Sequence, residues 1–183
     1  MRAQIMDTIA EYYRGRHALV LKLVRPLDDQ QLLWRPNETT PSIAFHVWHL
    51  ARWADYLQEM IAGTGVQIWE MDGLAAQWGF DRANLGFAET GLGMADEVLS
   101  FLPFPRKQAL LEYAERAFTE ADRAIGGVSD GQFRRRVQDR HGAEWKEMPA
   151  GEAILNWLVH DSRHLGMMEC LLGAQGQHGS ATR

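Results

Sequence analysis

Apolar positions along this chain recur mainly at steps of three, four and seven residues, and the strict alternation of a half-buried strand is scarce. Ile5, Ile9, Tyr12, Leu19 and Leu23 make one such stripe, which predicts a first long helix ending before Pro26. Residues 26 to 41 carry three prolines and many turn formers. Ser42 then offers a helix start, and apolar residues continue to Ala62 before Gly63 stops them, giving a second helix. Glycines at 63, 65, 73, 79, 86, 91 and 93 interrupt the next stretch, 63 to 105, where LAAQWGF and MADEVLSFL each predict a short helix. A third long helix opens after Pro105, with Leu110, Ala114, Phe118 (or Ala117), Ala121 and Ile125 on one stripe and two glycines at its end. Residues 128 to 148 are polar, and their RRRVQDR run reads as a solvated face. Pro149 opens a fourth helix that runs to about Leu172. Four long helices without a convincing strand predict an all-α four-helix bundle, with 63 to 105 as a crossover insert between helices two and three.

At 183 residues the chain fits a single domain spanning 1–183. Hydrophobic residues at 46% and charged residues at 23% exclude general disorder. A net charge of -5 gives no diffuse attraction for nucleic acid or anionic membranes. One cysteine, Cys170, cannot form an intramolecular disulfide, and no apolar run is long enough for a membrane span or a signal sequence. The expectation is a soluble, cytoplasmic protein that binds neither nucleic acid nor membrane and acts on a small molecule.

Candidate chemistry lies in four histidines placed where apolar side chains are expected. On helix four, Trp157, His160, His164, Met167 and Leu171 share one stripe, so both imidazoles point inward. On helix two, Phe45, His49, Trp53 (or Arg52), Tyr56 and Met60 form the matching stripe. His46 lies about 60° of helix rotation from His49, on the shoulder of that stripe. An HxxxH pair brings two imidazoles within reach of one ion, and His49 from the facing helix closes a three-histidine site. Imidazole donors suit zinc or nickel first, with iron or manganese as further candidates, and three protein ligands leave a position for water or substrate. A lone histidine on an apolar face is more often a hydrogen-bonded core residue. Three together would each cost about 1 to 3 kcal/mol if left unsatisfied, so an ion or a dense hydrogen-bond network must compensate.

LDDQQLLWRPNETTPSIAFHVWHLARW, followed far downstream by WLVHDSRHLGMM, resembles the DinB-like (DNA-damage-inducible) family of helical bundles. The likeness covers helices one, two and four, and only loosely the insert. It implies a four-helix bundle holding a divalent ion on one histidine of helix two, here His49, and on an HxxxH pair of helix four, here His160 and His164. His46 is not demanded by the family pattern. The likeness also implies homodimers, and an S-transferase or isomerase activity that uses a low-molecular-weight thiol such as mycothiol, bacillithiol or glutathione.

Two rival readings are a metal-dependent hydrolase and a non-catalytic, metal-stabilised stress-response or binding protein. Against a metalloprotease, Asp161 stands where a glutamate base would follow the first histidine of the pair. Asp55, Glu59, Asp161 and Glu169 lie on the two histidine-bearing helices, and spacing alone assigns none of them a catalytic role. Trp48, Trp53 and Trp157 are close enough in sequence to wall a pocket, although such residues are more often core. Cys170 reads as a small buried residue. GLGMADEV lacks the glycine spacing and preceding strand of a phosphate loop.

Overall fold

The computed structural model describes residues 2–62, 66–99, 101–141 and 144–180, and the chain is mostly helical. The four predicted long helices are α1 (Arg2–Val24), α3 (Ile43–Ala62), α7 (Lys107–Gly126) and α9 (Ala150–Ala174). Both α1 and α3 pack against both α7 and α9. Ser42 starts α3 as expected, its Oγ accepting the Phe45 N–H, and Ala150 follows Pro149 directly into α9. The predicted stripe of α7 is buried throughout.

The inward face of α1 differs from expectation. Ile9, Tyr13, His17, Val20 and Val24 are buried, while Ile5 and Tyr12 are 53% and 55% exposed. Polar partners turn the helix this way: the Tyr13 hydroxyl donates to the Ile154 carbonyl, and His17 bonds Asp122 of α7. A reading that follows apolar residues alone misses a face carried partly by a tyrosine and a histidine.

Two short helices occupy stretches read as turns or polar chain. They are α2 (Asp29–Leu33) and α8 (Asp130–Arg134), each opened by a reciprocal capping box, Asp28 with Gln31 and Ser129 with Gln132. In the insert, α4 (Ile68–Met71), α5 (Leu74–Gln77) and α6 (Asp96–Leu99) account for the expected short helices and add one more. Trp69 and Phe80 from this insert pack against Trp48 of α3, and Trp69 and Trp78 pack against Tyr113 of α7. The Asp55 carboxylate fixes the start of α4 by accepting the Ile68 and Trp69 N–H groups.

The absence of strands is corrected by an antiparallel hairpin, β1 (Arg136–His141) with β2 (Glu144–Pro149), in which Val137 pairs with Met148. RRRVQDR is therefore not one solvated face: Val137 packs on the core, and Asp139, two residues on and on the same side, is buried. Polar residues on the outer face and a carboxylate on the inner one hide the alternation from a hydropathy reading. Among the described residues no helix is long and apolar enough to cross a membrane.

Gly151, in the first turn of α9, is pressed against the Phe133 ring, which a Cβ there would meet at 2.2 Å. Gly151→Ala is expected to lower stability by about 1 to 3 kcal/mol through overpacking, measured by denaturant unfolding; an unchanged midpoint would contradict that packing.

Candidate metal centre

The second and fourth long helices bring their histidines face to face. One ring nitrogen from each of His49, His160 and His164 lies within 4.8 Å of the others. Nε2 of His49 is 3.1 Å from Nε2 of His160, and the His164 ring centroid is 4.5 and 4.4 Å from those of His49 and His160. His49 is buried, whereas His160 and His164 are partly exposed, so solvent meets the cluster on its α9 side. His46 stands outside the three-residue group, with its Nδ1 2.9 Å from Nδ1 of His164.

Each of the three rings has a neighbour at its Nδ1. His49 Nδ1–H donates to the Thr90 carbonyl at 2.5 Å, and because a carbonyl can only accept, the lone pair of His49 is left on Nε2. His164 Nδ1 shares a hydrogen bond with His46. Nδ1 of His160 lies 3.6 Å from the Asp161 carboxylate, too long for a hydrogen bond but within reach of its charge, and this buried nitrogen has no hydrogen-bond partner. Backing of this kind fixes the tautomer of a metal-ligating imidazole and raises its basicity.

Burial keeps His46, His49 and His164 neutral. It pushes the His46 pKa down to about 4 and that of His49 down to about 3, with the His160 ring adding to both, and it drives His164 well below the usual imidazole range. The deprotonated ring is the form that binds a metal. His17, a buried imidazole on α1, behaves oppositely. Burial alone would lower its pKa, but the hydrogen bond to Asp122 at 2.7 Å and Asp161 at 3.6 Å raise it to about 9, so it is an imidazolium.

A sequence model of the DinB superfamily matches residues 11–168. The chain belongs to the DinB superfamily. No curated protein matches it. Among solved structures, it is similar to a conserved protein from Enterococcus faecalis, at 13% identity and a TM-score of 0.71 over 92% of this chain and 98% of that one. At that identity the likeness shows the fold alone.

In this DinB superfamily member the structure sorts the other candidates. Of the four carboxylates singled out on the histidine-bearing helices, Asp161 faces the cluster, lying between His160 and His17. Asp55 is spent on Arg52, Tyr113 and the start of α4, Glu59 accepts from Gln67, and Glu169 accepts from Ser180 in the C-terminal tail. Trp53 and Trp157 stack at 3.8 Å beside His160, with ring centroids 5.9 and 5.0 Å from it, while Trp48 belongs to the core under the insert. Two expectations for α9 are corrected: Cys170 is exposed, and Met167 is 42% exposed while Met168 is buried. The helix turns its 161–165–168–172 edge to the core, with the histidines on the margin of that face. Thr90, Asp122 and the inward position of His17 carry no signal in the sequence. Each acts across more than 40 residues or from a loop, and no local pattern marks it.

Proposed function

We propose that His49, His160 and His164 hold one divalent metal ion, with zinc or nickel ahead of iron or manganese, inside a four-helix bundle formed by α1, α3, α7 and α9. The observation that carries this reading is the convergence of three imidazole nitrogens from two helices within 4.8 Å. The donor set fits such an ion: it is nitrogen-only, burial keeps His49 and His164 unprotonated, and the same two have hydrogen-bonded Nδ1 atoms. His46 serves as the outer partner of His164.

We further propose that the site works with a low-molecular-weight thiol as an S-transferase or isomerase. A divalent ion on three neutral ligands supplies full positive charge at an open position, which favours ionisation of an arriving thiol. The chain's own residues would do the rest. His49, on the buried side, anchors the floor, and the part-exposed His160 and His164 face the approaching reactant. The Trp53–Trp157 stack supplies an apolar wall beside His160 against which an electrophile can be positioned. The Asp161 carboxylate, held between His160 and the His17 imidazolium, balances charge beneath the site.

Cobalt-substituted protein tests the thiol reading. Adding glutathione, bacillithiol, mycothiol or coenzyme A at millimolar concentration is expected to produce, for at least one of them, a new sulfur-to-metal charge-transfer band that His164→Ala abolishes. A spectrum untouched by all four would leave a metal-stabilised binding protein or a hydrolase. Homodimerisation is proposed on the same footing. Ile5 and Tyr12 on α1, and Leu155 and Val159 on α9, are exposed apolar side chains that a partner copy could cover.

A further inference from the structure

The insert between α3 and α7 carries a short turn whose backbone is held in an uncommon conformation. Ala88 and Glu89 have φ of 44° and 54°, flanked by Gly86 at 73° and Gly91 at 89°. Two successive non-glycine residues in the left-handed region persist only where their surroundings fix them. What fixes them is Arg52. Its guanidinium is buried and places every donor: Nε on the Glu89 carbonyl at 3.1 Å, Nη2 on the Ala88 carbonyl and Gln67 Oε1 at 2.8 Å each, and Nη1 on Asp55 Oδ2 and the Tyr113 hydroxyl at 3.2 Å each. The Glu89 side chain is tied down as well, accepting the Trp69 indole N–H. With its donors committed and Asp55 opposing its charge, Arg52 has nothing left to offer a ligand.

Thr90, the next residue, is fully buried, its hydroxyl donating to the Phe87 carbonyl at 2.7 Å. Its own carbonyl accepts from His49 Nδ1. Gly91 then passes so close to α3 that a Cβ would sit 2.9 Å from Trp48, 3.1 Å from Phe45 and 3.2 Å from His49 Nδ1. Arg52 is three residues after His49 on α3, so one helix face presents both the imidazole and the guanidinium that aims a carbonyl at it.

We propose that Arg52 is a positioning residue of the metal centre: by clamping the Ala88 and Glu89 carbonyls it sets the Thr90 carbonyl on His49 Nδ1–H, which commits His49 Nε2 to the ion. The insert is then part of the centre's outer shell. This rests on the three-histidine reading for the ion, but the state of the His49 ring can be read without any metal.

Arg52→Lys keeps the positive charge beside Asp55 and loses the planar fork that spans two carbonyls. Nitrogen-15 NMR of selectively labelled, metal-free protein should show a protected His49 Nδ1–H in the wild type, with the resonance lost or in fast exchange with water in Arg52→Lys. Zinc affinity in a competition titration should fall about 10- to 100-fold, the usual effect of losing an outer-shell partner. Gly91→Ala, which leaves Arg52 in place and displaces the turn from His49, should reproduce both effects and carries the test should Arg52→Lys fail to fold. A folded Arg52→Lys or Gly91→Ala protein with the wild-type His49 signal and wild-type zinc affinity would overturn the proposal. A wild type that shows the His49 signal and binds no zinc would instead overturn the three-histidine reading and leave Arg52 as the residue that sets the His49 tautomer.

Discussion

Alanine at any one of His49, His160 or His164 is expected to reduce metal content from one ion per chain to a trace in dialysed, untagged protein. In the proposed centre the three share one ion; His49 Nε2 and His160 Nε2 are 3.1 Å apart, and the His164 ring lies against both. Two remaining imidazoles bind weakly, so the loss should exceed 100-fold in affinity, larger than any outer-shell effect. His46→Ala is the informative companion. It should weaken binding by only about 10- to 100-fold, because His46 touches Nδ1 of His164 and lies outside the converging group. Full retention in His49→Ala together with complete loss in His46→Ala would reverse the assignment of the two. His17→Ala should keep the ion despite disturbing the core, since His17 meets Asp122 and Asp161 and none of the three ligands.

Acid should remove the ion and the fold's reserve of stability together. The unfolded chain protonates its histidines near pH 6.5, whereas His46 and His49 resist protonation in the folded chain until about pH 4 and about pH 3. Depressed folded values mean a contribution that is fully present above pH 6.5 and is lost as pH falls toward those numbers. Each pH unit over which one imidazole is charged unfolded and neutral folded costs about 1.4 kcal/mol. A bound ion adds its own preference for neutral rings, so metal content and melting temperature should drop in step between about pH 6 and pH 4. Both staying unchanged down to about pH 4 would contradict the account. The alkaline side has the opposite sign. His17, raised to about 9, contributes stability below pH 6.5 that is lost as pH rises through 9. His17→Gln should therefore flatten the alkaline limb and leave the acid limb in place.

Much of the architecture was legible because the long helices carry their own punctuation. Pro26, Ser42, Gly126 and Pro149 mark ends that the structure reproduces within a residue or two. The inward stripe of α7 reads correctly because it is wholly apolar. That of α1 does not, because Tyr13 and His17 sit inward on polar bonds to Ile154 and Asp122 that arrive from distant helices. The hairpin stayed hidden since Asp139, a charged residue, occupies its buried face.

The candidate site divides in the same way. HxxxH on one helix and a histidine on the facing stripe are periodic signals, and the three residues they mark, His49, His160 and His164, lie together in the fold. Their outer partners followed no such rule. Thr90 lies in an insert whose conformation depends on Arg52, and the partners of His17 come from helices more than 100 residues away. Long-range hydrogen bonds leave no local trace in sequence, which is why the clustered histidines were readable and the residues that hold them were not.

The central claim is that three imidazoles share one ion, and X-ray absorption at the zinc edge of untagged protein loaded with one equivalent tests it most directly. The account predicts three imidazole nitrogens at about 2.0 to 2.1 Å with the outer-ring scattering of histidine, and one exchangeable oxygen ligand in the remaining position. A protein that fails to retain the equivalent on dialysis, or a first shell dominated by carboxylate oxygen or cysteine sulfur, would contradict it.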